Sequence, residues 1–363
     1  MLYSRKTGTG STILPVYPCL LPVVLVLLSF AAGPICTTAQ SPTDVAAATG
    51  NAVLSGQPED LGKLSLGRHT PPPPEPFLLQ RDEEPEFTRE FYRVEWRTGD
   101  PIDLYVIRPA HAVKPPVTIF LYGFPSETDR FRDNAYCRMV TQRGYAAVGL
   151  VSALTGQRFH GRGLTEWFVS DLPFALVATV HDVQMVLNYL DTRKDLDASS
   201  VGIFGQGSGG TIAVLTASVE PRLKKIDLID PWGDWPEWLA GSSMILNDER
   251  PRLTTKEFMD SVAAFDPIRH LPTMDSSRLQ LLDVAYDRDT PAEAKKAIES
   301  AMPKGASVLR YATPAEFQAR VAGGDKLLSW LHPANTTEKQ NVAIDNAGKD
   351  ASAQRGAAVP KIE

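Results

Sequence analysis

The chain has 363 residues, 43% of them hydrophobic and 22% charged, with a formal net charge of −6. That is enough apolar sequence to bury one large α/β core or two modest ones. The charges are mixed in sign with no long single-sign block, so composition argues against nucleic acid and anionic lipid as partners.

The chain opens with Arg5 and Lys6, an apolar run from Ile13 to Ile35, and small residues at Thr37 and Ala39. This order reads as a signal peptide over residues 1–39 that exports the protein to a periplasmic or extracellular space. The alternative is an uncleaved membrane anchor, since the run is about as long as a bilayer core is thick. Pro15, Pro18, Pro22 and Pro34 make it a poor helix. After cleavage no membrane contact is expected. Cys19 and Cys36 lie in the leader, which leaves Cys137 without an intrachain partner. Its setting, "RDNAYCRMVTQRG", reads as a buried helix position.

Residues 40–85 are rich in Ala, Ser, Gly and Pro, ending near "PPPPEP" at 71–76, and read as an extended linker. Two β-like runs at 90–98 and 102–110 flank Gly99-Asp100 as an antiparallel hairpin. Apolar strands follow at 117–123, 145–151, 201–205, 225–230, 279–287 and 307–312, with helical patterns such as 175–192 and 291–302 between them. This alternation predicts a doubly wound, mostly parallel sheet with helices on both faces. Residues 333–363 are polar and aperiodic, and read as a disordered tail.

The stretch "VGIFGQGSGG" at 201–210 enters a Gly-rich turn from a strand and leaves it into a helix. With "FLYGFPS" at 120–126, and "DPIRHLP" followed by "LQLLDVAYDRDTP", it resembles the α/β-hydrolase fold, particularly its dienelactone-hydrolase and prolyl-oligopeptidase-like branch. The resemblance covers roughly residues 86–331. It implies a hydrolase-fold domain at 86–332 with a small cap insertion at about 231–270.

The resemblance also sets a register for the site. With Gly205 and Gly209 as the outer glycines of the G-x-S-x-G turn, Gly207 falls where the nucleophile belongs and Ser208 comes one residue late. Glycine carries no nucleophile. Ser208 is either a displaced nucleophile or a cap of the following helix. Asp287 aligns with the family acid, with Asp289 beside it, or simply caps the helix near Pro291. No histidine follows the strand at 307–312 where the family base would sit. His332 comes a helix later, His270 precedes the acid strand, and His181 lies inside a helix. His160, in the loop "RFHGRG", is the candidate displaced base. Gly123 and Phe124 are placed on the oxyanion side, with Tyr122 where relatives carry His or Tyr. Trp232 and Trp235, with Trp238 at the same spacing, read as either a packed ridge or an apolar pocket wall.

The sequence has no H-x-x-x-H, paired Cys or G-x-x-x-x-G-K pattern, so no metal or cofactor is expected. A dinucleotide turn at Gly205, Gly207 and Gly210, with Asp227 or Asp230 as its acidic partner, stays open as an alternative. Two functions compete. One is a pseudo-hydrolase that binds a small molecule or peptide in the old pocket. The other is an esterase or peptidase-like serine hydrolase using Ser208, Asp287 and His160 or His332.

Overall fold

The computed structural model describes residues 59–67, 75–155, 158, 171–285, 287, 289–313, 315–317 and 330–332. The leader, the tail, His160 and most of the proposed linker lie outside them. The core of the fold is a nine-stranded sheet in the order β1-β2-β3-β5-β4-β6-β7-β8-β9. In chain order the strands are β1 (Phe77–Glu83), β2 (Phe87–Val94), β3 (Ile102–Pro109), β4 (Pro116–Leu121), β5 (Ala146–Leu150), β6 (Asp197–Gln206), β7 (Leu223–Ile229), β8 (Leu279–Val284) and β9 (Ser307–Tyr311). The first three strands pair antiparallel and β3 runs antiparallel to β5, whereas every pairing from β5 through β4 to β9 is parallel. Among the described residues, the main helices are α1 (Asn134–Thr141), α2 (Leu172–Thr192), α3 (Ser208–Val219), α4 (Trp235–Gly241) and α5 (Ala292–Ala301).

The parallel centre explains the apolar runs in the sequence. All five residues of β5 are buried, as are five of the six in β4, because helices cover both faces of a parallel sheet. Helix α2 is buried over most of its 21 residues and carries little one-sidedness in its pattern. It is enclosed by the sheet and by neighbouring helices. No helix among the described residues is long and apolar enough to cross a membrane.

Two findings move the expected start of the domain from residue 86. Strand β1 begins at Phe77 and pairs with β2 along its length, so the sheet takes up the end of the proposed linker. Residues 59–67 are also docked rather than free. Glu59 accepts from Arg97 and from His181 Nδ1 at 2.6 Å each, and Gln184 pairs with the backbone of Leu64 and Leu66. Arg97 continues to Asp182 at 2.5 Å, and Arg158 bridges Asp182 and Asp100. Burial by itself pushes the Glu59 carboxyl up, but the hydrogen bonds from His181 and Arg97 outweigh it and hold it at about 2. A polar, Pro-rich composition gave no sign of this docking, because it depends on charges distant in sequence.

The segment expected to form a cap, about 231–270, comprises α4 and the short helical turns Arg250–Leu253, Lys256–Val262 and Pro267–His270. Its tryptophans are buried in the main apolar core, with Trp232 and Trp238 centroids 4.6 Å apart and Trp235 edge-on to Trp238 at 5.9 Å. Aromatic packing of this kind anchors the segment to the helical layer.

Candidate functional site

The C-terminal ends of β4, β6, β7 and β8 surround a cavity of about 410 Å³. Crevices at the carboxyl ends of parallel strands are the usual ligand position in such sheets. The loop after β4 brings Tyr122, Gly123 and Phe124 to one side, and the β6 to α3 turn brings Gly207 to the floor.

The turn settles the register question. Gly207 has φ 54° and ψ −121°, a strained strand-to-helix elbow, and α3 begins at Ser208. The Gly207 N–H donates to Ile229 O at 2.9 Å, while its carbonyl receives Thr211 N and Trp232 N. The flanking glycines are obligatory on steric grounds. A Cβ at Gly205 would lie 2.5 Å from Gly209 O, and one at Gly209 would lie 2.0 Å from Leu121 O. Gly205-x-Gly207-x-Gly209 is therefore the geometric G-x-S-x-G turn, with hydrogen in place of the nucleophilic side chain.

Ser208 is fully buried and does not line the cavity. Nor does it cap α3, since the N-cap is Gly207 and Ser208 is the first helical residue. Its hydroxyl instead accepts the Phe124 backbone N–H at 2.9 Å. The amide that an oxyanion hole draws from this loop is thus spent on a side chain below the elbow.

Asp287 lines the cavity, with its carboxylate accepting Asp289 N–H at 3.1 Å and Thr290 N–H at 3.2 Å. It caps the loop before α5, which starts at Ala292, and does not cap the helix itself. Lys295 Nζ lies 3.8 Å from Asp287, 3.7 Å from Asp283 and 3.0 Å from Asp230. An ammonium therefore stands near the acid, where a triad would offer an imidazole.

None of the described histidines lines the cavity. His332 donates to or accepts from Thr118 Oγ1 at 2.6 Å and stacks on Tyr145 beside Gly202. Gly202 is five residues before Gly207 along β6, which puts His332 about 16 Å down the strand from the elbow. Burial drives the His332 imidazole down to about 4, so it is neutral there. His181 is held by Glu59 and the Lys63 carbonyl, and His270 bonds Ala264 O. His160 lies outside the described residues.

Of the other expected residues, Gly123, Phe124, Gly207 and Trp232 meet at the cavity. Trp235 does not, because it is 1% exposed and packed in the core. Of the two acidic residues that the dinucleotide alternative offered, Asp230 lines the cavity and Asp227 does not. Asp227 sits fully buried in the middle of β7, bonded to Gln280, where no ribose can reach it. Among the described residues no cluster of three metal-ligating side chains forms.

Arg130 and Phe317 join the expected residues at the cavity, and Asp230, expected only as the acidic partner of a dinucleotide turn, stands in its wall. Asp230, at the end of β7, lines the cavity while only 7% exposed, and its backbone φ is 39°. Burial raises its carboxyl to about 7 despite Lys295 beside it. Its position at a strand's carboxyl end was a readable signal. Arg130 at the rim, 4.4 Å over the Tyr122 ring, and Phe317 from beyond β9 had none. Behind the wall, Glu127 accepts the N–H and hydroxyl of Ser152, and burial raises its carboxyl to about 7.

No protein-family model and no curated protein sequence matches the chain. Solved structures do resemble it. Acetyl xylan esterase 1 from Thermoanaerobacterium sp. superposes with a TM-score of 0.54 at 15% identity, covering 71% of this chain and 87% of the esterase. A cold-adapted esterase from an Arctic intertidal metagenomic library gives a TM-score of 0.50 at 12% identity, covering 70% of this chain and 98% of its own. With the strand order and the elbow, these likenesses establish that this chain has the α/β-hydrolase fold.

Proposed function

We propose that this chain is an exported, non-catalytic member of the hydrolase-fold class that binds a small organic molecule or peptide in the cavity above β6 and β7. The observation that carries this reading is the pairing of Gly207 at the elbow with the Ser208 hydroxyl turned to Phe124 N–H. Acyl transfer needs a nucleophilic atom at the elbow, a base within hydrogen-bond reach of it, and amides aimed at the developing oxyanion. Here the first is hydrogen, no described imidazole supplies the second, and one amide of the third is already satisfied. The pocket, its aromatic wall and its carboxylates remain, and a fold of this kind hosts binding as readily as chemistry. The basic, apolar and small-residue order of the leader supports export.

Treatment of the folded protein with a fluorophosphonate, read by intact mass beside Ser208→Ala, tests the reading. No adduct on either protein is expected. A stoichiometric adduct on the parent that disappears in Ser208→Ala would overturn the proposal and establish a serine hydrolase working one residue out of register.

A further inference from the structure

The lining of the cavity also has a definite charge character. Its polar lining is unequal. Asp230, Asp287 and Asp289 face it, against the single guanidinium of Arg130, which is exposed at the rim and occupied over the Tyr122 ring. Two backbone donors beside the cavity are engaged, Gly207 N–H by Ile229 O and Phe124 N–H by Ser208.

Asp230 is the central group. Its Oδ1 takes both the Val284 N–H at 3.1 Å and the Lys295 ammonium at 3.0 Å. Its Oδ2 accepts no hydrogen bond among the described residues, although the side chain is more than nine-tenths buried and borders the cavity. An ionised carboxylate accepts at both oxygens, so Oδ2 keeps acceptor capacity for a donor in the cavity. The left-handed backbone at φ 39° that holds it there is a further strain of the kind found at ligand sites. Around it, Phe124, Trp232 and Phe317 offer apolar and aromatic surface, and aromatic faces attract cations as well as hydrocarbon.

We infer that the cavity is built for an organic ammonium compound, whose charged nitrogen donates to Asp230 Oδ2 while its apolar body lies against Phe124, Trp232 and Phe317. This rests on the reading of the cavity as a binding pocket and names the ligand class for it. The groups facing Asp230 are Lys295 from α5, which favours its ionised form, and Asp287 from the loop after β8, which opposes it, with Asp283 reached through Lys295. Since the Asp230 carboxyl is raised to about 7, it is largely protonated at pH 6 and ionised at pH 8. A cation that needs the ionised form therefore binds about tenfold more tightly at pH 8, because the competent fraction rises by that factor. By reciprocity, binding near neutral pH releases a proton from Asp230.

The test is isothermal titration of the full chain with 2-phenylethylammonium and with its neutral counterpart 2-phenylethanol, at pH 6 and pH 8, and at neutral pH in two buffers of different ionisation enthalpy. The expected result is binding of the amine alone, about tenfold tighter at pH 8, with proton release and with loss in Asp230→Asn. Equal binding of the alcohol and the amine overturns the ammonium assignment while leaving the pocket reading intact. Binding of neither overturns the assignment too, and the fluorophosphonate result then bears separately on the pocket reading. If Asp230→Asn does not fold, the pH ratio and proton release of the parent protein decide the matter.

Discussion

Restoring a side chain at the elbow, by Gly207→Ser, separates a missing nucleophile from a missing catalytic system. A Cβ built on Gly207 meets Trp232 Nε1 at 3.3 Å and Gly123 Cα at 3.8 Å, so the space is tight but not closed. The backbone there, φ 54° and ψ −121°, costs a non-glycine residue about 1–3 kcal/mol. For a domain of roughly 250 residues that lowers the melting temperature by about 2–12 °C. The new hydroxyl would stand at the elbow with no described imidazole near it and with Phe124 N–H still bonded to Ser208. The expected outcome is a folded, slightly destabilised protein whose p-nitrophenyl acetate hydrolysis stays at the parent's level. Melting curves and initial rates check both parts. A burst followed by steady turnover, with a bell-shaped pH profile, would refute the reasoning, because it would show that a base, His160 among the candidates, already serves the elbow. Unchanged stability would refute the steric part alone.

Ser208→Ala removes the acceptor for the Phe124 amide and is expected to cost about 1–3 kcal/mol in urea unfolding, with no change in reaction toward fluorophosphonate. Asp227 is fully buried, and burial raises its carboxyl to about 8 even with Gln280 donating to it. The folded state therefore holds this proton more tightly than the unfolded chain, and the resulting stability is present below about pH 4 and lost as the pH rises toward 8. Asp227→Asn is expected to stabilise the protein most at pH 8 and little at pH 4, by up to a few kcal/mol, as denaturant midpoints at both pH values will show; an equal shift at both would contradict the buried-acid account. Glu59→Gln breaks the charged link from residues 59–67 to Arg97 and His181. Limited proteolysis should then cleave before β1 faster than in the parent, with the same cleavage rate in both arguing that the docking is not held by Glu59.

The antiparallel hairpin, the buried parallel strands and the Gly205-Gly207-Gly209 register were all legible in the sequence. Each of these is set locally. Apolar runs of strand length report burial on two faces, and the outer glycines of the elbow are demanded by backbone atoms within a few residues or on the adjacent strand. That register was enough to show that the nucleophile position holds no side chain. What Ser208 does instead was not legible, because its partner Phe124 lies 84 residues away. The same limit applied to Trp235, whose spacing suits a pocket wall or a core and whose burial decided for the core. It applied to residues 59–67, where a polar composition concealed a docking made of charges from two other parts of the chain, Arg97 and the His181–Asp182 stretch.

By itself, then, the sequence determined the order of strands and helices from β2 onward, the sharp turn after β6 and the glycine at its nucleophile position, since periodicity and glycine placement are local properties of a chain. Only the tertiary structure decided that His332 lies far down the sheet, that the Phe124 amide is already spent, and that Asp230 presents an open carboxylate oxygen to an aromatic-walled cavity. Those outcomes depend on which strand ends converge and on how deeply each charge is buried, and neither quantity is encoded within any one segment.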